Sequence, residues 1–433
     1  MLMKKLSSKE VLVIGFALFA MFFGAGNLIF PPSIGLLAGE KWKAALLGFS
    51  LTGIGLPILG VLSVAISGGS INSLLNKVGP KFALIFSILI MVLIGPLLAI
   101  PRTGATAFEI GIQPLFPSIG PVISSLIFFG LTLFLTISST SIIDVIGKFL
   151  TPILLIMIST IIIKGILNPI GVPIDTNMTQ PFSTGFGDGY QTMDLLAAIV
   201  FGGIIVDDIK NKGITEKNEQ FKTIAKTGLI AGIGLGIVYG GLLYLGAAGS
   251  SVFPQGIEKV SLTTNITITI LGHLGKIVLG ICVYSACLTT SVGLTATVGH
   301  FFSNISKEKF NYKTIVIIST IVSIIISNIG VESIITFADP ILKIVYPIAI
   351  ILVIINVFDN LIENKKIYLG ATIGTFCVSL VDGLSAMGVN TSFIGEFIQT
   401  LPFADSGFGW IFPAILGIIL THLITKLKEN AFA

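Results

Sequence analysis

The sequence predicts an all-α polytopic membrane protein with about 12 transmembrane helices. Of its 433 residues, 53% are hydrophobic and only 11% are charged, and the mean hydropathy is +1.01; this is far from the composition of a soluble domain. Apolar stretches of about 20 residues, long enough to cross roughly 30 Å of hydrocarbon, recur along the chain. Because no intervening segment is long enough for a separate soluble domain, we predict a single transmembrane domain over residues 1–433.

The apolar stretches define the predicted spans, which fall into three groups. Helices 1–5, over about residues 11–163, are Val11–Leu37, Ala44–Ile66, Phe82–Ile100 with an extension to Gly111, Ile119–Ile137 and Ile143–Ile163. Helices 6–10, over about residues 192–358, are Thr192–Val206, Thr227–Gly249, Ile277–Phe302, Thr314–Ile329 and Pro340–Phe358. Helices 11 and 12, over about residues 367–425, are Ile367–Leu384 and Phe408–Thr425. The division between the fourth and fifth spans rests on the polar run Ser138-Ser139-Thr140-Ser141.

The loops between the spans differ in positive charge. Most of the 25 Lys and Arg residues fall in the loops on one side, which also holds both termini because the number of spans is even. By the positive-inside rule, both termini are predicted to be cytoplasmic. The lysines are spread along these loops rather than gathered in one basic patch. The net charge of +4 therefore indicates orientation in a lipid bilayer, and we predict no binding to nucleic acid.

Two spans contain glycine-rich interruptions. The first span carries Gly24-Ala25-Gly26-Asn27, followed by Pro31-Pro32, and the sixth carries the weaker Phe201-Gly202-Gly203. An interruption frees backbone N–H and C=O groups at membrane depth, which is tolerated only where they line a protein-enclosed cavity. The two interruptions lie five helices apart, so helices 1–5 run opposite to helices 6–10. This arrangement predicts a 5+5 inverted repeat with helices 1 and 6 broken, typical of transporters.

The interruption in the first span has the groups to hold a small zwitterion. The half-helix starting near Asn27 would point the N–H groups of Ala25, Gly26 and Asn27 into the break, where they suit a carboxylate. Free carbonyls at Ala20–Phe23 and at the sixth-span break suit an ammonium group or a cation. The surroundings are apolar, which favours an aliphatic side chain. The alternative is that these glycines only permit close helix packing.

The eighth span contains a candidate sodium site. Thr289 and Thr290 follow Ala286 by three and four residues and share one face of the helix. Their hydroxyls, with carbonyls of Ala20 and Phe23 from the first break, offer the oxygen ligands that a hard cation requires. The alternative is that the hydroxyls bond to carbonyls of their own helix.

Charged residues within spans are functional candidates because they are costly there. Arg102 follows Pro101 near the outer end of the third span, and Glu109 lies seven residues on, on the same face if the chain is helical. We predict that Arg102 and Glu109 form an outer gate.

The segment Phe23-Gly24-Ala25-Gly26-Asn27-Leu28-Ile29-Phe30-Pro31-Pro32 resembles the first-helix signature of the bacterial branched-chain amino acid:cation symporters. This is the LIVCS family of the amino acid–polyamine–organocation superfamily, and the similarity in length and span order covers essentially the whole chain. The resemblance implies the fold of sodium-coupled leucine transporters, with alternating access around a central site. It implies a substrate site at Gly24, Ala25, Gly26, Asn27, Phe201, Gly202 and Gly203, and a sodium site at Ala20, Phe23, Ala286, Thr289 and Thr290.

The resemblance to the leucine transporters has a limit just after Asn27. Asn27 matches a residue that serves a second sodium site in those transporters, which carry a gating arginine shortly afterwards. This chain has Leu28, Ile29 and Phe30 at those positions. The departure counts against a charged gate at this point and against a second sodium site.

The expected function is secondary active symport that imports leucine, isoleucine and valine across the bacterial cell membrane with sodium as the coupling ion. No other cofactor is expected, and the chain is not expected to be an enzyme because it lacks a close constellation of catalytic residues and a phosphate-binding loop. A proton-coupled carrier of the same fold, using Asp382 or Glu109, is the nearest alternative. A passive channel is the alternative from another class.

Overall fold

The computed structural model describes residues 6–138 and 151–432, which are almost entirely helical. The helices up to residue 167 are α1 (Ser8–Phe22), α2 (Ala25–Ala38), α3 (Trp42–Ser50), α4 (Leu56–Ile66), α5 (Ile71–Leu75), α6 (Pro80–Val92), α7 (Ala99–Thr106), α8 (Pro121–Ser138) and α9 (Thr151–Leu167). Those that follow are α10 (Pro181–Asp188), α11 (Asp194–Asn211), α12 (Lys217–Ala248), α13 (Lys259–Leu271), α14 (His273–Ile305), α15 (Tyr312–Ser327), α16 (Val331–Val357), α17 (Ile367–Ala386), α18 (Ser392–Gln399) and α19 (Ile411–Phe432).

Seven helical stretches among the described residues are long and apolar enough to cross a membrane: Ala25–Ile66, Pro80–Ile112, Lys217–Ser251, His273–Ile305, Val331–Val357, Ile367–Ala386 and Ile411–Lys428. Three apolar helices are shorter: Pro121–Ile137, Thr151–Leu167 and Tyr312–Ser327. The chain is therefore a multi-pass membrane protein. Residues 139–141 of the predicted hinge and the predicted start of the fifth span at Ile143 lie outside the described residues.

The predicted interruption of the first span is confirmed. Helix α1 ends at Phe22, Phe23 and Gly24 are extended, and α2 begins at Ala25. A continuous helix would donate the Gly24 N–H to the Ala20 carbonyl, but here that N–H donates to Asn27 Oδ1 at 3.0 Å. The Asn27 side chain thus replaces one helical hydrogen bond and frees the carbonyl of Ala20.

The predicted break at Phe201-Gly202-Gly203 is wrong, because α11 runs through these residues without interruption. A Cβ on Gly202 would lie 3.0 Å from the Val64 Cβ of α4, so this glycine allows the two helices to approach closely. The interruption lies before α11, where a 3₁₀ turn over Gly189–Thr192 leads to Met193 in the left-handed conformation (φ 61°). At Gly202 the glycine therefore serves close helix packing, the alternative given in the sequence analysis.

The third span contains a kink that the sequence analysis did not predict. Between α6 and α7 the helix widens into a π-helical turn over Leu93–Leu97, and Gly95 leaves the helical conformation (φ −91°, ψ −129°). Pro96 explains the kink, because proline lacks the N–H that a helix needs and its ring crowds the preceding turn. A Cβ on Gly95 would lie 2.8 Å from Val298 of α14, so the absence of a side chain at Gly95 allows the kinked span to pack closely against α14.

A charged cluster lies where α16 ends and α17 begins. Lys77, after α5, pairs with Asp359 at 2.9 Å, and Lys365 pairs with the same carboxylate at 2.7 Å. Tyr368 of α17 donates to Asp359 at 2.8 Å. Burial alone would raise the pKa of the Asp359 carboxyl, but hydrogen bonds from Lys365, Lys77 and Tyr368 outweigh it and lower the pKa to about 2. Asp359 is therefore ionised at neutral pH and ties α17 to the segment after α5.

Helices α2 and α12 cross backbone to backbone. A Cβ on Gly35 would lie 1.9 Å from the Leu243 carbonyl oxygen, and one on Gly246 would lie 2.0 Å from the Pro32 carbonyl oxygen. Both helices therefore present a glycine to the partner's main chain, which is how membrane helices approach most closely. This crossing fixes the second half of the broken span against α12.

We expect Gly246→Ala to destabilise the protein because its methyl group would overlap backbone atoms that cannot rotate away. The loss of stability should be about 1–3 kcal/mol or more, visible as a lower midpoint of thermal unfolding in detergent. Gly240→Ala on the same helix is the matched control, because its Cβ would lie 3.7 Å from the nearest side-chain atom, in ordinary contact. Equal midpoints for the two variants would contradict the proposed crossing.

Candidate functional site

A small cavity lies where the interrupted first span meets the segment that precedes α11. Its volume is about 20 Å³, room for about one water molecule. Backbone and side chains of both interruptions line it, together with α7 and α14: Met21, Phe22, Gly24, Ala25, Gly26, Asn27, Ile94, Ala99, Arg102, Thr103, Thr192, Met193, Asp194, Ala197, Phe201, Thr290 and Leu294. The two interruptions therefore meet at one buried site, and the second lies eight residues before Phe201, where the sequence analysis had placed it.

Asn27 connects three helices across this site. Its Nδ2 donates to Asp194 Oδ2 at 2.7 Å and to the Tyr239 hydroxyl of α12. The Tyr239 hydroxyl lies 3.3 Å from the same Asp194 oxygen and donates to it. All three side chains are buried, with 1% of Asn27 and 3% of Asp194 exposed. Buried polar networks of this kind specify one arrangement of the helices that carry them.

Arg102 secures the segment before α11. Its Nη1 donates to the Gln191 carbonyl at 2.6 Å, and its Nη2 lies 3.5 Å from the Thr192 carbonyl. These carbonyls are left free by the interruption, so the guanidinium replaces the helical donors that they lack. The Arg102 side chain is 3% exposed, and its Nε has no hydrogen-bond partner.

An apolar wall completes the cavity. Asp194, Ala197 and Phe201 follow one another at helical spacing on the same side of α11. Ile94 from the kinked third span and Leu294 from α14 also line the cavity. The site therefore combines charged side chains with aliphatic and aromatic surface, the composition of a small-molecule site.

The two predicted sodium-binding hydroxyls have different environments. Thr289 Oγ1 donates to the Ala286 carbonyl at 2.8 Å, the bond within its own helix that the alternative reading describes. Thr290 Oγ1 is buried without a partner and lies 2.8 Å from the position that a Cβ on Gly24 would occupy. The Thr290 hydroxyl is thus directed at the break, next to the carbonyls that end α1.

The remaining predicted site residues divide between the cavity and its surroundings. Gly202 faces α4 rather than the cavity, and a Cβ on Gly203 would lie 3.1 Å from the Gly69 carbonyl oxygen. The Phe23 ring stacks on Phe19 with centroids 5.5 Å apart. Glu109 Oε1 accepts the Val331 N–H at the start of α16 at 2.9 Å. The structure therefore does not bring Arg102 and Glu109 together as the predicted gate.

Sequence reasoning missed Asp194 and Tyr239. Asp194 is an acidic residue just inside the predicted sixth span, and the rule that flagged Arg102 applies to it equally. Tyr239 lies within the apolar seventh span, and its hydroxyl is indistinguishable in sequence from that of a tyrosine at a helix–helix contact. Its role depends on the meeting of α12 with the two interruptions, which sequence spacing does not reveal.

Comparison with known families identifies the chain. The sequence model of the family described as "Branched-chain amino acid transport protein" matches residues 7–428. The chain belongs to this family. Family members are transporters and not enzymes, which confirms the predicted resemblance and the absence of an enzymatic role.

Two relatives from Bacillus subtilis (strain 168) match almost end to end. The chain is 38% identical to the branched-chain amino acid permease BraB over 426 residues, which covers 96% of both proteins. It is 37% identical to the branched-chain amino acid permease BrnQ over 439 residues, which covers 99% of both. The similarity therefore includes every helix described above.

Solved structures of other transporters share the fold. A closed conformation of Mhp1, a nucleobase-cation-symport-1 family transporter with bromovinylhydantoin bound, aligns with a TM-score of 0.65 at 16% identity. The alignment covers 97% of this chain and 93% of Mhp1. MhsT in complex with L-phenylalanine aligns with a TM-score of 0.54 at 18% identity, covering 95% of this chain and 98% of MhsT. The chain therefore has the leucine-transporter-like fold of these proteins.

We expect Asn27→Ala and Tyr239→Phe to be non-additive because both side chains bind each other and the same Asp194 oxygen. A double-mutant cycle on the free energy of unfolding should give a coupling energy of about 0.5–3 kcal/mol. Tyr244→Phe, on the same helix and packed edge-on against Trp42 with centroids 5.6 Å apart, is the control that should add independently to Asn27→Ala. Additivity of the Asn27 and Tyr239 substitutions would contradict the network.

Proposed function

We propose that this protein is a secondary active symporter that imports leucine, isoleucine and valine with sodium as the coupling ion. Membership of the branched-chain amino acid transport family supports the substrate class. The observation that carries the proposal is the broken first helix, which leaves amides and carbonyls free at one buried place, beside the unpartnered Thr290 hydroxyl of α14. Such a place suits a small zwitterion and a cation together.

The substrate would bind in the cavity between the two interruptions. The amides of Ala25 and Gly26 lie at the N-terminus of α2, where the helix dipole favours a carboxylate. Gly24 and Asn27 line the same cavity, and Asn27 acts through its bonds to Asp194 and Tyr239. Phe201 supplies apolar surface for a branched side chain. The printed names of BraB and BrnQ support this class of side chain.

A leucine side chain is larger than the described cavity, so binding requires the helices around the break to move apart. In the proposed cycle this movement alternates between the two sides of the membrane, as one helix bundle rocks against the other. The predicted 5+5 inverted repeat, with helices 11 and 12 outside it, would supply the symmetry for this exchange. The fold shared with Mhp1 and MhsT supports this part of the proposal.

Sodium would bind beside the substrate at the end of α1. The ligands would be the carbonyls of Ala20, Phe23 and Ala286 with the hydroxyls of Thr289 and Thr290. Two observations support this set: the Ala20 carbonyl has lost its helical donor, and Thr290 Oγ1 is buried without a partner. Oxygen ligands alone match the preference of a hard cation. The Thr289 hydroxyl would keep its bond to Ala286 and offer its lone pairs to the ion.

Proton coupling is the second candidate, and one observation favours it. Asp194 places a carboxylate in the same cavity, whereas Asp382 and Glu109, the carboxylates considered from sequence, lie away from it. Intramembrane carboxylates of carriers commonly serve as proton relays. A proton would then take the place of sodium in biasing the equilibrium between the two open states.

The first test is uptake of labelled leucine into proteoliposomes that hold the purified protein. We expect an inward sodium gradient to drive accumulation, and an inward proton gradient at matched membrane potential to drive none. Accumulation driven only by protons would show that the coupling ion is a proton rather than sodium, and the proposed carrier function would stand. Equilibration without accumulation under either gradient would favour a channel.

Thr289→Ala combined with Thr290→Ala should weaken activation by sodium because two oxygen ligands are removed. We expect the sodium concentration for half-maximal leucine uptake to rise by about tenfold or more, equivalent to about 1.4 kcal/mol. Thr297→Ala is the matched control, because Thr297 lies about two turns further along the same helix and its hydroxyl donates to the Gly293 carbonyl at 2.7 Å. Unchanged sodium activation in a folded double variant would remove the site.

A further inference from the structure

Two buried side chains of opposite charge line the cavity without pairing with each other. Arg102 and Asp194 are each 3% exposed, and both face the cavity between the interruptions. Their hydrogen bonds in the described part of the chain go to neutral groups: Arg102 to backbone carbonyls, and Asp194 to Asn27, Tyr239 and Thr192. Charges buried in proteins are normally paired, and unpaired ones within a membrane mark functional sites.

The guanidinium stands beside the expected anion position. A Cβ on Gly26 would lie 3.0 Å from Arg102 Nη2, so the guanidinium borders the N-terminus of α2. Arg102 Nε is buried without an acceptor, although this side chain carries five donors in a planar fork that matches a carboxylate. A carboxylate at this place would meet both the amides of α2 and the charge of Arg102.

The carboxylate of Asp194 has acceptor capacity left. Asn27 and the Tyr239 hydroxyl both donate to its Oδ2, and the Thr192 side chain also hydrogen-bonds to the carboxylate, whereas an ionised carboxylate can accept about four hydrogen bonds. All three donors are neutral, so none balances the charge. An ammonium group supplies hydrogen-bond donors and the missing positive charge together.

We propose that Arg102 and Asp194 are the counter-ions of the substrate's carboxylate and ammonium groups, and so select α-amino acids by charge. This inference rests on the proposed amino-acid substrate and deepens it. An α-amino acid neutralises both buried charges at once. An amine without the carboxylate, or an acid without the ammonium, leaves one charge in the membrane interior unpaired and is rejected for that reason.

The test is calorimetric titration of the purified protein in sodium buffer with leucine, with leucinamide, which lacks the carboxylate, and with 4-methyl-2-oxopentanoate, which lacks the ammonium. Asp194→Asn keeps the size of the side chain and removes its charge, and should weaken leucine binding by at least about 100-fold. The preference for leucine over the oxo acid should shrink by the same factor. Asp194→Glu retains the charge and should bind leucine more tightly than Asp194→Asn does.

The corresponding variants at Arg102 are Arg102→Gln and Arg102→Lys. Arg102→Gln should shrink the preference for leucine over leucinamide, and Arg102→Lys should retain part of it. Asp188→Asn is the control carboxylate: it lies in a separate cavity with Asp339 and Asp382, and should keep the native affinities. Unfolding midpoints of all variants in the same buffer establish that each is folded.

The outcomes separate this inference from the proposed function. No leucine binding by the native protein would overturn both. Native leucine affinity in Asp194→Asn, even with loss of proton-driven uptake, would overturn the charge assignment alone. Equal weakening of leucine and the oxo acid, or equal leucine affinity in Asp194→Asn and Asp194→Glu, would show a structural role and overturn it too.

Discussion

The interruption of the helix at Phe23 and Gly24 determines the arrangement around it. In a membrane interior, a free N–H or C=O group is costly unless protein or enclosed water satisfies it. Asn27 Oδ1 accepts one such N–H group, and its Nδ2 donates to Asp194 and Tyr239. The segment before α11 also has backbone carbonyls without helical donors, and Arg102 donates hydrogen bonds to them. Each interruption is thus sustained by a side chain that also faces the cavity.

The membrane fold was predictable because hydropathy and span length depend on local composition alone. The first interruption was predictable too, since Gly24 and Gly26 lie just before the polar residue Asn27 inside an apolar span. The second interruption was assigned to Gly202 because glycine weakens a helix, but glycine also allows helices to touch, and the sequence does not distinguish these uses. The close approach of Gly202 to Val64 shows that this glycine allows helix contact. That approach depends on how α11 packs against α4, which the sequence does not specify.

The candidate site was predictable only in its first half. Ala25 and Gly26 follow from the chain direction of one broken helix, whereas Asp194 and Tyr239 reach the cavity through long-range packing. Arg102 was identified by its cost in the membrane, but as an outer gate with Glu109. Both residues follow the kink at Gly95 and Pro96, but the Arg102 guanidinium binds the segment before α11, whereas Glu109 accepts the N–H group at the start of α16. The sequence therefore identified Arg102 as a functional candidate, but its contacts depend on the tertiary structure.

The two halves of the broken first span pack against α12 in different ways. The main chains of α2 and α12 are in direct contact at Gly35 and Gly246, so these two helices pack as one rigid unit. Helix α1 meets α12 through side chains instead: Cβ atoms on Gly15 and Gly234 would meet Ile230 and Phe19. Side chains can change rotamer, whereas main chains cannot. The extended residues Phe23 and Gly24 therefore join two half-helices that are held differently: α2 packs on α12 main chain to main chain, and α1 packs on it through side chains.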